Sequence, residues 1–306
     1  MSEMMAVSPD LAGTRSKRGF LPRARAEWCI LPPMAFLVFA LLLPVGFLIA
    51  LSLKPAMPGM FDFSGDLTLA NYLRFFARPF YYGTLLKTLW VSALTTLIVA
   101  VIGYALALLI WSAPRKWRGV IVLIVLSPLL VSIVARTYGW MIVLGDRGVI
   151  NQILLAAGLI ETPFQMMYTS GAVIVGLVHV FVPFMALCVL TSLDKIDPAA
   201  PEAAMTLGAS RLAILKDVLL PLTVPGLASG ITIVFSLSMS SYVTPALMGG
   251  SRSGMLTTFI YQQFAVTLDW RFGAVLVTLL LGLTLLVLTA ILWSAGRMTR
   301  RWSRAI

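Results

Sequence analysis

Six long apolar stretches constrain this chain more than anything else in it. They run over about 29–53, 85–111, 119–144, 170–192, 224–248 and 273–296. About 20 mainly apolar residues in helical form cross a hydrocarbon core of roughly 30 Å. In lipid, a helix satisfies its own backbone groups where an isolated strand cannot. Barrel strands would instead show alternation over about 10 residues. The sequence therefore predicts an all-α integral membrane protein, a bundle of six transmembrane helices over 29–296. Its composition, 59% hydrophobic and 11% charged, lies outside the range of soluble globular domains.

A net charge of +11 would suggest nucleic acid for a soluble chain. Here its distribution carries topology, and no nucleic-acid partner follows from it. With the N-terminus inside, the inner segments hold Arg15, Lys17, Arg18, Arg23 and Arg25, then Arg115, Lys116 and Arg118, then Lys195, Arg211 and Lys216, and last Arg297, Arg300, Arg301 and Arg304. The outer segments hold Lys54, Arg74, Arg78, Arg147, Arg252 and Arg271. The excess of inner cations predicts that both termini are cytoplasmic, with basic tails at 1–28 and 297–306. No small-residue cleavage pattern follows the first apolar run, so it reads as a retained span.

Two segments stand outside the spans. "GVINQILLAAGLIE", 148–161, is apolar but too short to cross, and is expected to lie in or re-enter the outer face. "EAAMTLGASRLAILKDVLLPL", 202–222, falls in the inner loop 193–223. Asp197 and Pro198 suit a helix start, with Glu202 in its early turns. Gly208 suits the left-handed end of that helix. Ser210 can cap a second helix from Arg211 to about Leu220, which Pro221 is expected to terminate. The residues alone allow two readings of this hairpin. It is a connector, or it is a rigid docking element held off the membrane to receive force from a soluble motor.

The order Glu202-Ala203-Ala204, three residues, Gly208, nine residues, the aliphatic Val218, one residue, Leu220-Pro221 resembles the cytoplasmic signature of permease subunits of binding-protein-dependent ABC importers. The family usually has Ile where this chain has Val218. Further similarity runs from about 28 to 300. "ARTYGWMIVLGDRGVINQILLAAGLI", "MYTSGAVIVGLVHVFVPFM" and "YVTPALMGG" resemble the spermidine/putrescine-type branch, and within it the first of two permeases. The resemblance implies a coupling helix seated in a groove of an ATPase subunit. It implies a second permease in a heterodimer, two ATP-binding cassette subunits and an external substrate-binding protein, in a bacterial inner membrane. The implied cargo is a small hydrophilic solute, a polyamine first and a related amine or aminophosphonate next.

No Gly-x-x-x-x-Gly-Lys-Ser/Thr motif occurs, so the chain is not expected to hydrolyse ATP itself; the importer resemblance implies separate ATPase subunits that bind it, and no cofactor is expected. All twelve acidic residues fall outside the apolar interiors, which counts against a proton-coupled carrier but leaves a stand-alone channel open. A membrane scaffold is the third reading. Cys29 and Cys188 support neither a disulfide framework nor a metal site and read as packing residues. His179, without nearby Cys or carboxylate, reads as a buried hydrogen-bonding residue and not a metal ligand. Arg136, inside the third span, is either an interhelical or snorkelling arginine or a path residue. Thr232, Ser236 and Ser240 share one face of the fifth span and either pack helices or line a translocation path. Tyr138 and Tyr242 belong to the candidate path or, with Trp90 and Trp140, to the interfacial aromatic belt.

Overall fold

A computed structural model describes residues 23–55 and 66–302. The basic segment with Arg15, Lys17 and Arg18, and also Arg304, lies outside the described residues. Two units divide the chain, 1–47 and 48–306. Helix α1 (Arg23–Ser52) supplies the described part of the first, and its apolar side chains from Met34 to Leu43 are exposed.

The second unit is built from helices. A short α2 (Ala70–Ala77) precedes α3 (Pro79–Ser112), which starts on a proline whose missing N–H costs nothing in a first turn. Next come α4 (Arg115–Leu130), α5 (Ile133–Leu144) and α6 (Val149–Ala156). Helix α7 (Ser170–Leu193) is capped by Thr169, whose hydroxyl accepts from the Ala172 N–H at 3.2 Å. After a short α8 (Ala199–Thr206), α9 runs from Arg211 to Ser240, and α10 (Leu256–Ala265) and α11 (Trp270–Trp302) complete the described chain.

Helix α7 is the centre of the unit, with α3 and α9 packed along it. Small residues permit this approach. A Cβ built on Gly103 of α3 would lie 2.6 Å from Met185 Cγ, and one on Gly226 of α9 would lie 2.6 Å from the Cys188 carbonyl oxygen. On α3 the hydroxyls of Thr84, Thr88, Ser92, Thr95 and Thr96 are all buried at helical spacing. Thr88 Oγ1 accepts from the Leu256 N–H at 2.8 Å and so caps α10.

Among the described residues, five helices are long and apolar enough to cross a membrane, and a bent pair makes a sixth crossing. The third span, expected as one helix over 119–144, is that pair: the axis turns by 92° between Arg115–Leu130 and Ile133–Ala156. Val131 and Ser132 are extended at the break. The reason lies three residues earlier, where Pro128 cannot bond back to Ile124; the Ser127 hydroxyl takes that carbonyl at 2.8 Å.

The fifth span is also displaced. Pro221 does not terminate a hairpin helix, and the span expected over 224–248 is instead helical from Arg211 to Ser240. The physical reason is a π-helical segment at Ile214–Leu219, in which Leu220 donates to the Leu215 carbonyl five residues back. The wider turn accommodates the proline ring where the register returns to four. At the other end Ser241 is extended, and Pro245–Gly249 forms a separate π-helical turn.

The close approach of α7 and α9 sets a test in which two glycines respond with opposite sign. Gly226→Ala should destabilise the purified chain by about 1–3 kcal/mol, because the new methyl meets a backbone carbonyl. Gly282→Ala on α11, where a Cβ meets nothing within 4 Å, should stabilise it by up to about 1 kcal/mol through helix propensity. Thermal melting in detergent separates the two.

Candidate functional site

The hairpin is held at both ends by its own side chains. Asp197 Oδ1 accepts from the Ala199 N–H at 3.0 Å, which starts α8. At the other end the Gly208 N–H donates to the Met205 carbonyl at 2.9 Å, and the Ala209 N–H to the Ala204 carbonyl at 3.0 Å. These are the two bonds of a Schellman motif, with Gly208 at φ +82° in the left-handed position. Ser210 Oγ then accepts from the Ala213 N–H at 3.3 Å and starts α9. Each of these caps falls where the sequence places it.

One side of α8 is seated. Pro201 is buried, Ala204 and Ala209 pack into the main core, and α8 rests on the π-helical turn of α9. The other side is free: Glu202, Ala203, Met205 and Gly208 are exposed, Leu207 is 89% exposed and Leu212 is 73% exposed. The two alanines of the signature therefore differ, Ala203 facing out and Ala204 facing in. Leu220 is exposed and Pro221 half-buried at the foot of the hairpin. Met205, Leu207 and Leu212 are surface residues that the signature does not single out, yet three exposed apolar side chains beside one carboxylate suit a protein contact.

Two contacts tie the hairpin to the bundle. Arg118 of α4 pairs with Asp194 at the end of α7. Thr223 of α9 donates to the Leu219 carbonyl at 2.9 Å and meets the Tyr104 hydroxyl of α3 at 3.1 Å. At the opposite end of the bundle, Arg74 pairs with Asp269 at 2.8 Å and its guanidinium lies 4.2 Å from the Phe272 ring centroid.

The candidate path residues separate into groups. Arg136 donates to the Pro128 carbonyl, at the end of α4, which gives it an interhelical role across the break. Trp140 Nε1 donates to His179 Nδ1 at 2.9 Å, so His179 is a hydrogen-bonded partner of α5. Among the described residues, no group of three or more His, Cys, Asp or Glu could hold a metal ion. On α9, Thr232 and Ser236 are half-buried and Ser240 is exposed; Thr232 bonds back to the Ala228 carbonyl and Ser240 to that of Leu237. Tyr138 is exposed, and Tyr242 lies against Tyr261 with ring centroids 4.8 Å apart. No hydrogen bond or ring contact among the described residues joins Arg136 or Tyr138 to Thr232, Ser236 or Ser240.

No protein-family model matches the chain. The chain is 35% identical over 237 residues to the spermidine/putrescine transport system permease protein PotB of Escherichia coli, covering 76% of this chain and 84% of that protein. It is 30% identical over 253 residues to the protein of the same description in Haemophilus influenzae, covering 83% and 87% of the two. Among solved structures, a bacterial ABC transporter involved in the import of the acidic polysaccharide alginate superposes with a TM-score of 0.71 over 91% of this chain and 96% of that one. At 19% identity this last likeness concerns the fold alone.

The Schellman geometry sets a local expectation. A Cβ at Gly208 meets open space, so Gly208→Ala carries a backbone cost only, about 1 kcal/mol. Amides of 203–210 should then exchange roughly fivefold faster by hydrogen-exchange mass spectrometry, while those of α7 stay unchanged.

Proposed function

This chain belongs to the membrane permease subunits of ABC importers, in the branch of the PotB proteins, and from that premise we propose that it carries a polyamine and receives its drive through α8. In this reading it pairs with a second permease, forms the path at their interface, binds two ATP-binding cassette subunits at the hairpin and takes cargo from a substrate-binding protein outside. It sits as a multi-pass protein in the inner membrane, and we assign both termini to the cytoplasm from the distribution of arginine and lysine.

The observation that carries the coupling role is the capped, exposed helix Ala199–Thr206 with Glu202, Ala203, Met205 and Leu207 turned outward. Its continuity supports the same role. Helix α9 runs without a break from the hairpin to Ser240, 30 residues or about 45 Å, so displacement at the ATPase reaches Thr232, Ser236 and Ser240 along one rigid element. A flexible loop would absorb that displacement. ATP-driven closure of the cassettes then has a lever with which to favour one facing of the path over the other.

The polyamine reading rests on the similarity to the spermidine/putrescine permeases and fits the polar groups of the proposed path. The α9 hydroxyls offer oxygen dipoles without fixed charge, and the Tyr242–Tyr261 pair offers aromatic faces to a cation. Arg136 donates to the Pro128 carbonyl, a neutral acceptor that leaves its charge in place, so a cationic path has to run clear of it.

Two experiments test this reading. In the reconstituted complex, Gly208→Asp should abolish both uptake and the stimulation of ATPase activity by loaded binding protein, at normal abundance in the membrane. Glu202→Ala should reduce both. Unchanged stimulation and uptake in the Gly208 variant would remove the coupling role, and uptake that neither putrescine nor spermidine displaces would remove the polyamine. For topology, a cysteine at Arg115 should react only after permeabilisation, whereas one at Asp66 should react in intact cells.

A further inference from the structure

The C-terminal end of α11 carries an arrangement that the proposed coupling does not invoke. The Arg297 guanidinium lies 3.4 Å from the centroid of the Trp293 ring, one helical turn earlier. Both side chains are exposed, Trp293 at 62%. Stacking of this kind engages the flat face of the guanidinium and leaves its edge N–H donors pointing outward. Among the described residues no hydrogen bond or ion pair reaches Arg297. Between the two lies Gly296, where a Cβ would meet nothing within 4 Å, beside a hollow of about 400 Å³ lined by Leu292, Trp293, Gly296 and Arg297.

The surroundings say which anion fits. The apolar stretch 273–296 is about 36 Å long as a helix, so Arg297 falls at the level of the lipid headgroups. Leu285, Leu286 and Leu292 are exposed on the same broad face. Arg300 and Arg301 follow three and four residues after Arg297 on the helix, which continues to Trp302, and no acidic residue occurs after Asp269. Positive charge alone would orient a span. A stacked guanidinium beside a hollow also fixes where a phosphate sits.

We propose that the Trp293–Arg297 pair is a binding site for the phosphate of an anionic phospholipid, with the acyl chains lying along the exposed leucines of α11. Arg297 gives charge-assisted bonds to the phosphate oxygens, Trp293 holds the guanidinium flat, and the arginines beyond raise the local potential. The proposal depends on α11 crossing the bilayer and is independent of what the importer carries.

The test uses the purified full chain in mixed micelles with equal phosphatidylglycerol and phosphatidylcholine, with retained lipid counted by native mass spectrometry. The wild-type chain should retain phosphatidylglycerol in preference, and Arg297→Gln should cut that retention about fivefold. Trp293→Ala should also cut it, Arg297→Lys should fall between, and Arg147→Gln, in an exposed turn, should change nothing. Retention unchanged in Arg297→Gln, or lowered as much by Arg147→Gln, would overturn the site. So would loss of co-purifying ATPase in Arg297→Gln with lipid retention intact, which would make Arg297 a subunit contact.

Discussion

A backbone in hydrocarbon has to satisfy every N–H and C=O from within the protein, and at several of this chain's departures from helix a side chain meets that demand. At the third crossing, Pro128 strands the Ile124 carbonyl, and Ser127 takes it; the carbonyl of Pro128 itself is taken by Arg136 from the far side of the break. Past the end of α9, Thr257 donates to the Ser241 carbonyl at 2.6 Å. The first amide of α10 goes to Thr88. In the segment 148–161 the fully buried Asn151 bonds the Gly145 and Phe164 carbonyls and accepts from the Phe164 N–H at 2.9 Å. Some polar residues of the bundle interior are thus counterparts of its breaks, while others, Thr84 and Thr96 among them, bond back within a continuous helix.

This explains what the sequence could and could not disclose. Helix identity was legible because hydropathy over about 20 residues is a sum, and a sum does not depend on any one contact. The breaks were not, because a proline leaves open which nearby side chain or change of backbone register takes up the freed carbonyl. Pro128 could have ended a helix, kinked it or been tolerated, and the choice turns on Arg136 reaching back eight residues. Pro221 reads as a stop in isolation, yet the π-helical turn before it lets the helix continue. Local caps were legible for the opposite reason. Asp197, Gly208 and Ser210 each act on backbone within five residues, so composition at fixed spacing determines them.

The same distinction divides the site. The signature places the hairpin residues, since capping fixes them locally, but it does not say which alanine faces out or that Leu207 and Leu212 stand exposed. Those facts depend on how α8 sits on the π-helical turn. The candidate path residues share a helical period only for Thr232, Ser236 and Ser240. Arg136, grouped with them for its charge, belongs to a different contact, and Tyr261, which completes an aromatic pair with Tyr242, has no sequence signal at all.

The two large breaks also meet. Thr137, on α5 just past the first, and Thr244, just past the second, are both buried with hydroxyls 3.5 Å apart, and Thr244 precedes the turn that packs against α5. Non-helical backbone at membrane depth is tolerated where protein buries it or where it borders a water-filled cavity. An element that must change shape in a cycle needs segments whose helical bonds are already exchanged for side-chain ones, since those can be exchanged again at low cost. The hairpin lies at one end of the 30-residue α9 and the paired breaks lie just past the other. The helix between them carries one irregularity of its own, the π-helical turn at Ile214–Leu219 on which α8 rests, and is α-helical from Leu220 to the breaks.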